Sequence, residues 1–276
     1  TAPTGEAARP LFALDFSYAH CNHGSYGTAP RTVLAAQARA LAEVESFPDD
    51  FYRRRALKQY KAACGRAATL IGAPPSDVVL LPNATTGVNT VLRSAGLKPG
   101  DGVLITSTTY NACKNAVLNL AETACVEVFV AAMPSATPGT TLSDADVCGA
   151  IASEIEAKLA AHPSIRLLLI DHIVSMPTMV ITNLGDIIKA CHARRPRVDV
   201  LVDGAHCPGQ MPVAVAELRP DYYTGNLHKW AFGAKTAALL YASPEKQATL
   251  QSIVVSHFWK LSFHERFFMQ GTLDNS

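Results

Sequence analysis

The sequence predicts an α/β protein in which helices cover both faces of a mainly parallel, mixed sheet, a three-layer α/β/α arrangement. From residue 78 onward, short apolar runs alternate with segments whose apolar residues recur at helical spacing. The run at residues 78–81 is apolar throughout, as in strands buried on both faces. The chain has 276 residues, which is enough for one large core.

The order of the elements follows from the same patterns. Residues 1–19 have little periodicity and are expected to form an extended arm, and the glycines of CNHGSYGTAP, residues 21–30, predict a loop. Strands are predicted at 78–81, 103–106, 126–132, 165–170, 198–202 and 236–241, with another beginning at Tyr222. Helices are predicted at 31–47, 50–71, 110–123, 143–161 and 183–195, with others after residues 83–87 and near Ser243. Ser143 is expected to cap its helix.

Composition restricts the classes of function. The net charge is +1 and no long run of Lys or Arg is present, so nucleic-acid binding has no electrostatic support. No apolar run reaches the length of a membrane span, and the N-terminus lacks the regions of a signal peptide. The seven cysteines, an odd number without a C-x-x-C pair, predict free thiols in a reducing compartment. We therefore expect a cytoplasmic protein without a membrane or nucleic-acid partner.

Two strand ends bring a carboxylate and an amine to the same edge of the sheet. Asp203 follows the strand at 198–202, and the strand that begins at Tyr222 leads to Lys229. Ligands of such sheets bind at the carboxyl ends of the strands. Pyridoxal phosphate (PLP) needs both groups, because its aldehyde condenses with a lysine amine and a carboxylate keeps its ring nitrogen protonated. Singly, Asp203 is explained as a turn cap and Lys229 as a surface lysine. Their combination indicates a PLP site.

A further strand end carries the motif NATTG, residues 83–87. Small and hydroxyl residues before a helix leave backbone N–H groups exposed, and the helix dipole favours an anion there. Thr85 and Thr86 are therefore candidate phosphate ligands through backbone and hydroxyl. An ordinary helix N-cap is the alternative interpretation of this motif.

The motifs DGAH, residues 203–206, and TGNLHKW, residues 224–230, resemble the class V aminotransferase family of fold-type I PLP-dependent enzymes. Within that family they resemble the isopenicillin-N-epimerase-like and cysteine-desulfurase-like branch. The resemblance runs from Asn22 to Asp274. It implies an N-terminal arm and substrate-side loop at residues 1–30, followed by the PLP-binding large domain at residues 31–276. It also implies that the family's small C-terminal domain, which binds the substrate carboxylate, is missing.

The resemblance implies a role for individual residues. Lys229 would bond to the cofactor and move the substrate Cα proton, Asp203 would pair with the ring nitrogen, and His206 would lie near the ring oxygen. The other implied cofactor contacts are Thr85, Thr86, Tyr110, Asp171, Asn226 (where relatives often carry serine), His228 and a neighbouring subunit's Thr272. The implied substrate-pocket residues, in NHGSYG, are Asn22, His23, Ser25 and Tyr26. Sharing of Thr272 implies a homodimer with joint active sites. A core position is the alternative for Tyr110.

These residues predict an enzyme that acts at the Cα of an amino acid. Loss of the Cα proton is common to epimerisation, transamination and β-elimination, so a C–S lyase or cysteine desulfurase relative is an open alternative. A non-catalytic PLP-binding remnant is another. A nicotinamide-dependent enzyme is disfavoured because no G-x-G-x-x-G motif follows a strand. His20 and His23 lack the partners of a metal site, and we predict none.

Overall fold

A seven-stranded sheet forms the centre of the computed structural model, which describes residues 3–134 and 142–268. The described residues contain nine strands, seven in this sheet and two in a separate hairpin. They are β1 Val78–Leu81, β2 Gly102–Thr106, β3 Glu127–Ala131, β4 Ile165–Asp171, β5 Ile173–Ser175, β6 Thr178–Val180, β7 Asp199–Asp203, β8 Tyr222–Asn226 and β9 Ala238–Ala242. Their order in the sheet is β1-β9-β8-β7-β4-β2-β3, and β5 and β6 form a separate hairpin. Strand β9 is antiparallel to β1 and β8, whereas the other neighbours in the sheet are parallel. The predicted mainly parallel, mixed sheet is confirmed.

The helices that were predicted lie close to their predicted positions, whereas Val215–Leu218 and Phe263–Phe267 were not predicted. The α-helices are His23–Tyr26, Arg31–Ser46, Pro48–Asp50, Ala56–Leu70, Ala84–Ser94, Asn111–Ala124, Asp144–Ala161, Leu184–Ala193, Val215–Leu218, Pro244–Gln247 and Phe263–Phe267. Short 3-10 helices span Gly5–Leu11 and Pro75–Asp77, and a π-helix spans Phe51–Arg55. Ser143 caps its helix as predicted, because its side chain accepts the Asp146 N–H while the Asp146 carboxylate bonds back to the Ser143 N–H.

Successive strand residues face opposite helical layers. Leu104 of β2 packs in a core with residues of helices Ala56–Leu70, Asp144–Ala161 and Leu184–Ala193. Its neighbours Val103 and Ile105 pack instead with helices Ala84–Ser94 and Asn111–Ala124. Because side chains alternate along a strand, the sheet has one apolar core on each face. The three-layer α/β/α arrangement is therefore confirmed.

The N-terminal residues and one hairpin differ from expectation. The arm at residues 1–19, predicted to be extended, contains the 3-10 helix Gly5–Leu11, and the loop at 21–30 contains the helical turn His23–Tyr26. Neither element buries a residue, so no apolar periodicity marks it in the sequence. The hairpin of β5 and β6 was not predicted either, since its three-residue strands are too short for a recognisable alternation.

Candidate functional site

The carboxyl ends of three neighbouring parallel strands meet at one cavity of about 140 Å³. Asp171 at the end of β4 lies opposite Asp203 at the end of β7, and β8 beside them ends at Asn226. The lining also includes Lys229, which follows β8 after a short turn. The register of the parallel strands thus assembles side chains that are far apart in the chain.

Lys229 reaches into this cavity from a turn held by the N-terminal segment. Its side chain is mostly buried, and its Nζ lies 3.2 Å from His206 Nε2. Its backbone carbonyl accepts a hydrogen bond of 2.9 Å from His23 Nε2. Burial lowers the pKa of Lys229, and the nearby negative charge of Asp203 partly opposes this shift. The arrangement favours an amine that loses its proton more readily than an exposed lysine.

Asp203 is a buried carboxylate with a donor on each oxygen. The Ala205 N–H lies 2.9 Å from Oδ1, and the Cys113 thiol lies 3.2 Å from Oδ2. Burial raises the pKa of Asp203, and the bonds from Cys113 and Ala205 and the charge of Lys229 offset only part of this shift. These three groups therefore stabilise a negative charge at the base of the cavity.

Asp171 differs from Asp203 in its surroundings. Its Oδ2 atom is buried and has no hydrogen-bond partner within residues 3–134 and 142–268. Burial, followed by the charge of Asp203, raises the pKa of Asp171 well above its usual value. The pKa of both carboxyl groups is thus raised, and Asp171 is the one whose pKa is raised well above its usual value.

His206 is held between three side chains. Its Nε2 lies 3.2 Å from Ser175 Oγ and 3.2 Å from Lys229 Nζ, and Trp230 Nε1 donates to its Nδ1 over 3.4 Å. Burial, and next the charge of Lys229, lowers the pKa of His206 to about 4, so the ring is neutral near pH 7. An indole N–H only donates, so Nδ1 accepts and the ring proton is on Nε2. The Lys229 amine accepts that proton's hydrogen bond only when it is unprotonated.

The helix Ala84–Ser94 directs its N-terminus at the same cavity. Asn83 caps it by accepting the Thr86 N–H over 2.8 Å, and its Oδ1 also accepts the Thr86 hydroxyl. Asn226 Oδ1 accepts the Ala84 N–H over 2.9 Å. Thr85 lies between these two capped positions and lines the cavity. The site therefore has a positive helix end on one side and the carboxylates on another.

The structure brings most of the predicted residues together. Those that line the cavity are Ser25, Thr85, Tyr110, Asp171, Asp203, His206, Asn226, His228 and Lys229. Tyr110 is half exposed, which excludes a core position. His228 Nδ1 donates to the Ala237 carbonyl. Of the other predicted residues, Thr86 bonds to Asn83, and His23 donates to the backbone carbonyl of Lys229. Asn22 and Tyr26 do not line the cavity. Thr272 lies outside the described residues.

Three residues of the site are not among the predicted site residues, although Asn83 belongs to the NATTG motif. Asn83 lines the cavity and caps the helix, a role that its position before the helix start signals. Ser175 is brought in by the unpredicted β5–β6 hairpin. Cys113 lies on the buried face of a helix, where its pattern is that of a core residue. Neither Ser175 nor Cys113 carries a signal that the sequence alone would reveal.

Two kinds of feature are absent from the described residues. Across 3–134 and 142–268, no group of three or more His, Cys, Asp or Glu side chains is arranged to hold a metal ion. In the same ranges, no helix is both long and apolar enough to cross a membrane.

Comparison with known proteins assigns the chain to a family. An L-cysteine desulfhydrase-like protein of Epichloe uncinata, lolT2, is 30% identical over 265 residues, which are 93% of this chain and 53% of that protein. The isopenicillin N epimerase of Streptomyces clavuligerus is 26% identical over 91% of this chain and 60% of that protein. The structure of the cystine C–S lyase C-DES with cysteine persulfide has a TM-score of 0.69 at 24% identity, covering 83% of this chain and 58% of the other.

The chain spans about half the length of the lolT2 protein and somewhat more of the epimerase. The likeness to the C–S lyase structure supports the fold. The model of the aminotransferase class-V family matches residues 28–266, nearly the whole chain. The chain therefore belongs to the class V aminotransferases, a family of PLP-dependent enzymes.

Proposed function

We propose that this chain binds PLP in the cavity at the strand ends and belongs to an enzyme that acts at the Cα of an amino acid. The observation that carries the proposal is that Lys229 Nζ and the Asp203 carboxylate line the same cavity, with burial lowering the pKa of the lysine. An amine whose pKa is lowered and a buried carboxylate are the two groups that PLP requires of its protein.

The remaining residues fit the other parts of the cofactor. The N-terminus of helix Ala84–Ser94, with Thr85, Asn226 and His228 beside it, suits a phosphate. The unpartnered Oδ2 of Asp171 and the neutral His206 suit the ring oxygen. Tyr110, half exposed at the cavity, is available to contact the ring face. The phosphate, the ring oxygen and the ring face of PLP would thus each have a protein group of matching chemistry in the cavity.

Bound PLP supplies an aldehyde that bonds to amines and a ring that accepts electrons from Cα. Three side chains of the protein then have roles in the reaction. Lys229 Nζ, unprotonated, takes the substrate Cα proton and returns it. His206 holds Lys229 Nζ in position through Nε2 and is itself fixed by Trp230. Asp203 would hold the ring nitrogen through a negative charge at the base of the cavity.

The reaction that follows proton removal is the finer part of the proposal. Epimerisation returns the proton to the opposite face of Cα, whereas β-elimination expels the group on Cβ. The names of the lolT2 protein and of the C-DES structure favour C–S cleavage of a cysteine-like substrate as the second candidate. The epimerase supports the first candidate.

A homodimer completes the proposal. In the single chain, helix Arg31–Ser46 buries none of its residues, although it carries Leu34 and Leu41, which are 41% and 62% exposed. Exposed leucines on one helix are a surface that another protein can cover. A second copy of the chain is the occupant that the predicted sharing of Thr272 requires. The cytoplasmic location predicted from the cysteines remains a proposal.

Borohydride trapping tests the assignment of the lysine. The wild-type chain should take up PLP and, after reduction, carry it covalently on the peptide that contains Lys229. Lys229→Ala should lose this adduct, whereas Lys189→Ala, which changes an exposed lysine paired with Asp186, should retain it. An adduct that persists on another lysine in Lys229→Ala would contradict the proposal. Sulfide release from cysteine, set against Cα hydrogen exchange without release, would separate the two candidate reactions.

A further inference from the structure

A buried cysteine contacts the carboxylate at the centre of the site. Cys113 lies in the first turn of helix Asn111–Ala124, and its side chain is 1% exposed. Its Sγ lies 3.2 Å from Asp203 Oδ2. Burial, and next the charge of Asp203, raises the pKa of the thiol far above its usual value. The sulfur therefore keeps its proton and acts as the donor of this bond.

Asp203 has a second carboxyl group next to it. The register of β4 and β7 places Asp171 opposite Asp203, and both side chains are 4% exposed. Two adjacent buried carboxyl groups resist simultaneous ionisation, since desolvation and mutual repulsion both penalise the second charge. The pair therefore has one preferred site for its negative charge, and the neighbouring donors select that site.

Asp203 is bonded by two donors from other residues. Cys113 donates to its Oδ2 and the Ala205 N–H to its Oδ1, whereas Asp171 has a bond from its own backbone and its Oδ2 is buried without a partner among the described residues. Ala205 follows Asp203 in the chain, so its bond is local to the turn. Cys113, in contrast, belongs to helix Asn111–Ala124, so its bond to Asp203 joins a separate element to the choice of which carboxyl group is charged.

We propose that Cys113 is a positioning residue whose S–H donor localises the charge of the Asp171–Asp203 pair on Asp203 and fixes the direction of Oδ2. Asp171 is then left as a neutral acid, which can donate a hydrogen bond into the cavity, as a carboxylate cannot. The functional meaning rests on the proposed function, in which charged Asp203 is the partner of the PLP ring nitrogen.

The S–H stretching band in the infrared spectrum tests the bond without cofactor. Cys113 should give a band at lower frequency than Cys148, a buried thiol whose contact with the Val180 carbonyl is 3.5 Å long. The two bands are assigned by their loss in Cys113→Ser and Cys148→Ala. Asp203→Asn replaces the carboxylate by a neutral acceptor and should move the Cys113 band to higher frequency. A Cys113 band that stays in place in Asp203→Asn would overturn the proposal.

Affinity for PLP tests the consequence. Cys113→Ala should weaken PLP binding about tenfold, because a hydrogen bond to a charged group is lost. Cys113→Ser, which keeps a donor of similar size, should recover most of this loss, and Cys148→Ala should bind as the wild type does. If Cys113→Ala and Cys113→Ser weaken PLP binding equally, the positioning role is overturned, and Cys113 contributes to the site through packing alone. Should Cys113→Ala fail to fold, Cys113→Ser and the spectrum of Asp203→Asn still decide the matter.

The two proposals fail in different ways. A wild-type chain that takes up no PLP contradicts the proposed function, while the S–H comparison between wild type and Asp203→Asn remains decisive for the bond. If the wild-type chain binds PLP but the Cys113 band has the same frequency in the wild type and in Asp203→Asn, only the role of Cys113 is contradicted.

Discussion

Replacing Gly27 by alanine should release the N-terminal segment from the turn that carries Lys229. Gly27 has a φ of +66°, and a Cβ added there would lie 1.9 Å from the His228 carbonyl oxygen and 2.9 Å from the Lys229 Cα. Both of these atoms belong to the backbone, so a change of side-chain rotamer cannot relieve the overlap. Either the turn at 228–229 or the segment that contains Gly27 must move.

The contacts of the segment set the size of the effect. It is held at this turn by the bond from His23 Nε2 to the Lys229 carbonyl, and the His23 ring contacts those of Trp230 and Phe232 at 4.8 and 4.7 Å. Lys235 also donates to the carbonyl of Gly27. At about 1 kcal/mol for each of the bonds and about 0.5 kcal/mol for each ring contact, release costs about 3 kcal/mol. In Gly27→Ala, detachment of the N-terminal segment from this turn should therefore become roughly a hundredfold more frequent than in the wild type.

Gly96→Ala is a matched control. Gly96 also has a φ of +66°, but a Cβ added there would have no other atom within 4 Å. This variant therefore carries only the left-handed strain of an L-residue, about 1 kcal/mol. The difference between the two variants isolates the overlap with the turn.

Native-state hydrogen exchange by mass spectrometry is the suitable assay. In Gly27→Ala, exchange should accelerate in peptides that cover residues 20–30 and 226–232, while peptides from β4 and β7 should exchange as in the wild type. Exchange in Gly27→Ala that is no faster than in Gly96→Ala at residues 226–232 would refute the reasoning. The N-terminal segment would then not support Lys229.

Two other substitutions test titratable groups, namely Asp203 of the cavity and the buried His172. Asp203→Asn should fold normally but slow PLP-dependent Cα hydrogen exchange of an amino acid by about a hundredfold or more, measured by NMR in deuterated water; an unchanged rate would remove the role of the carboxylate. Burial lowers the pKa of His172 from 6.5 to about 4, so its stabilising contribution is present above pH 6.5 and is lost as the pH falls towards 4. Urea titrations should show up to about 3 kcal/mol lost by the wild type across that window relative to His172→Gln, and equal losses would contradict this.

The sheet could be predicted because its strands, apart from the partly exposed edge strand β3, are largely buried on both faces. Strands of this kind are nearly continuous apolar runs, and β1 was predicted with its observed bounds. The residues at their ends could be predicted for the same reason. Asp171 and Asp203 each follow an apolar run directly, so the parallel topology alone brings them to one edge.

The parts that could not be predicted depend on packing between distant elements. Ser175 reaches His206 only because β5 folds back on β6, and these strands have three residues each. Cys113 satisfies the helical apolar pattern, so only the structure shows that its thiol faces Asp203 rather than a purely apolar core. The orientation of His23 towards the Lys229 carbonyl likewise depends on how an unburied segment docks.

Asn226 shows how a residue that departs from a family pattern acquires a reason in the structure. Its Oδ1 accepts the N–H of Ala84, which joins the end of β8 to a helix start 142 residues earlier in the chain. Since Oδ1 is used in this way, Nδ2 is the atom left to donate to an anion in the cavity. A serine hydroxyl has a single donor hydrogen on a shorter side chain and serves both partners less well. The amide thus ties the proposed phosphate-binding helix to the strand that leads to Lys229, and its Nδ2 is left to donate to the proposed phosphate.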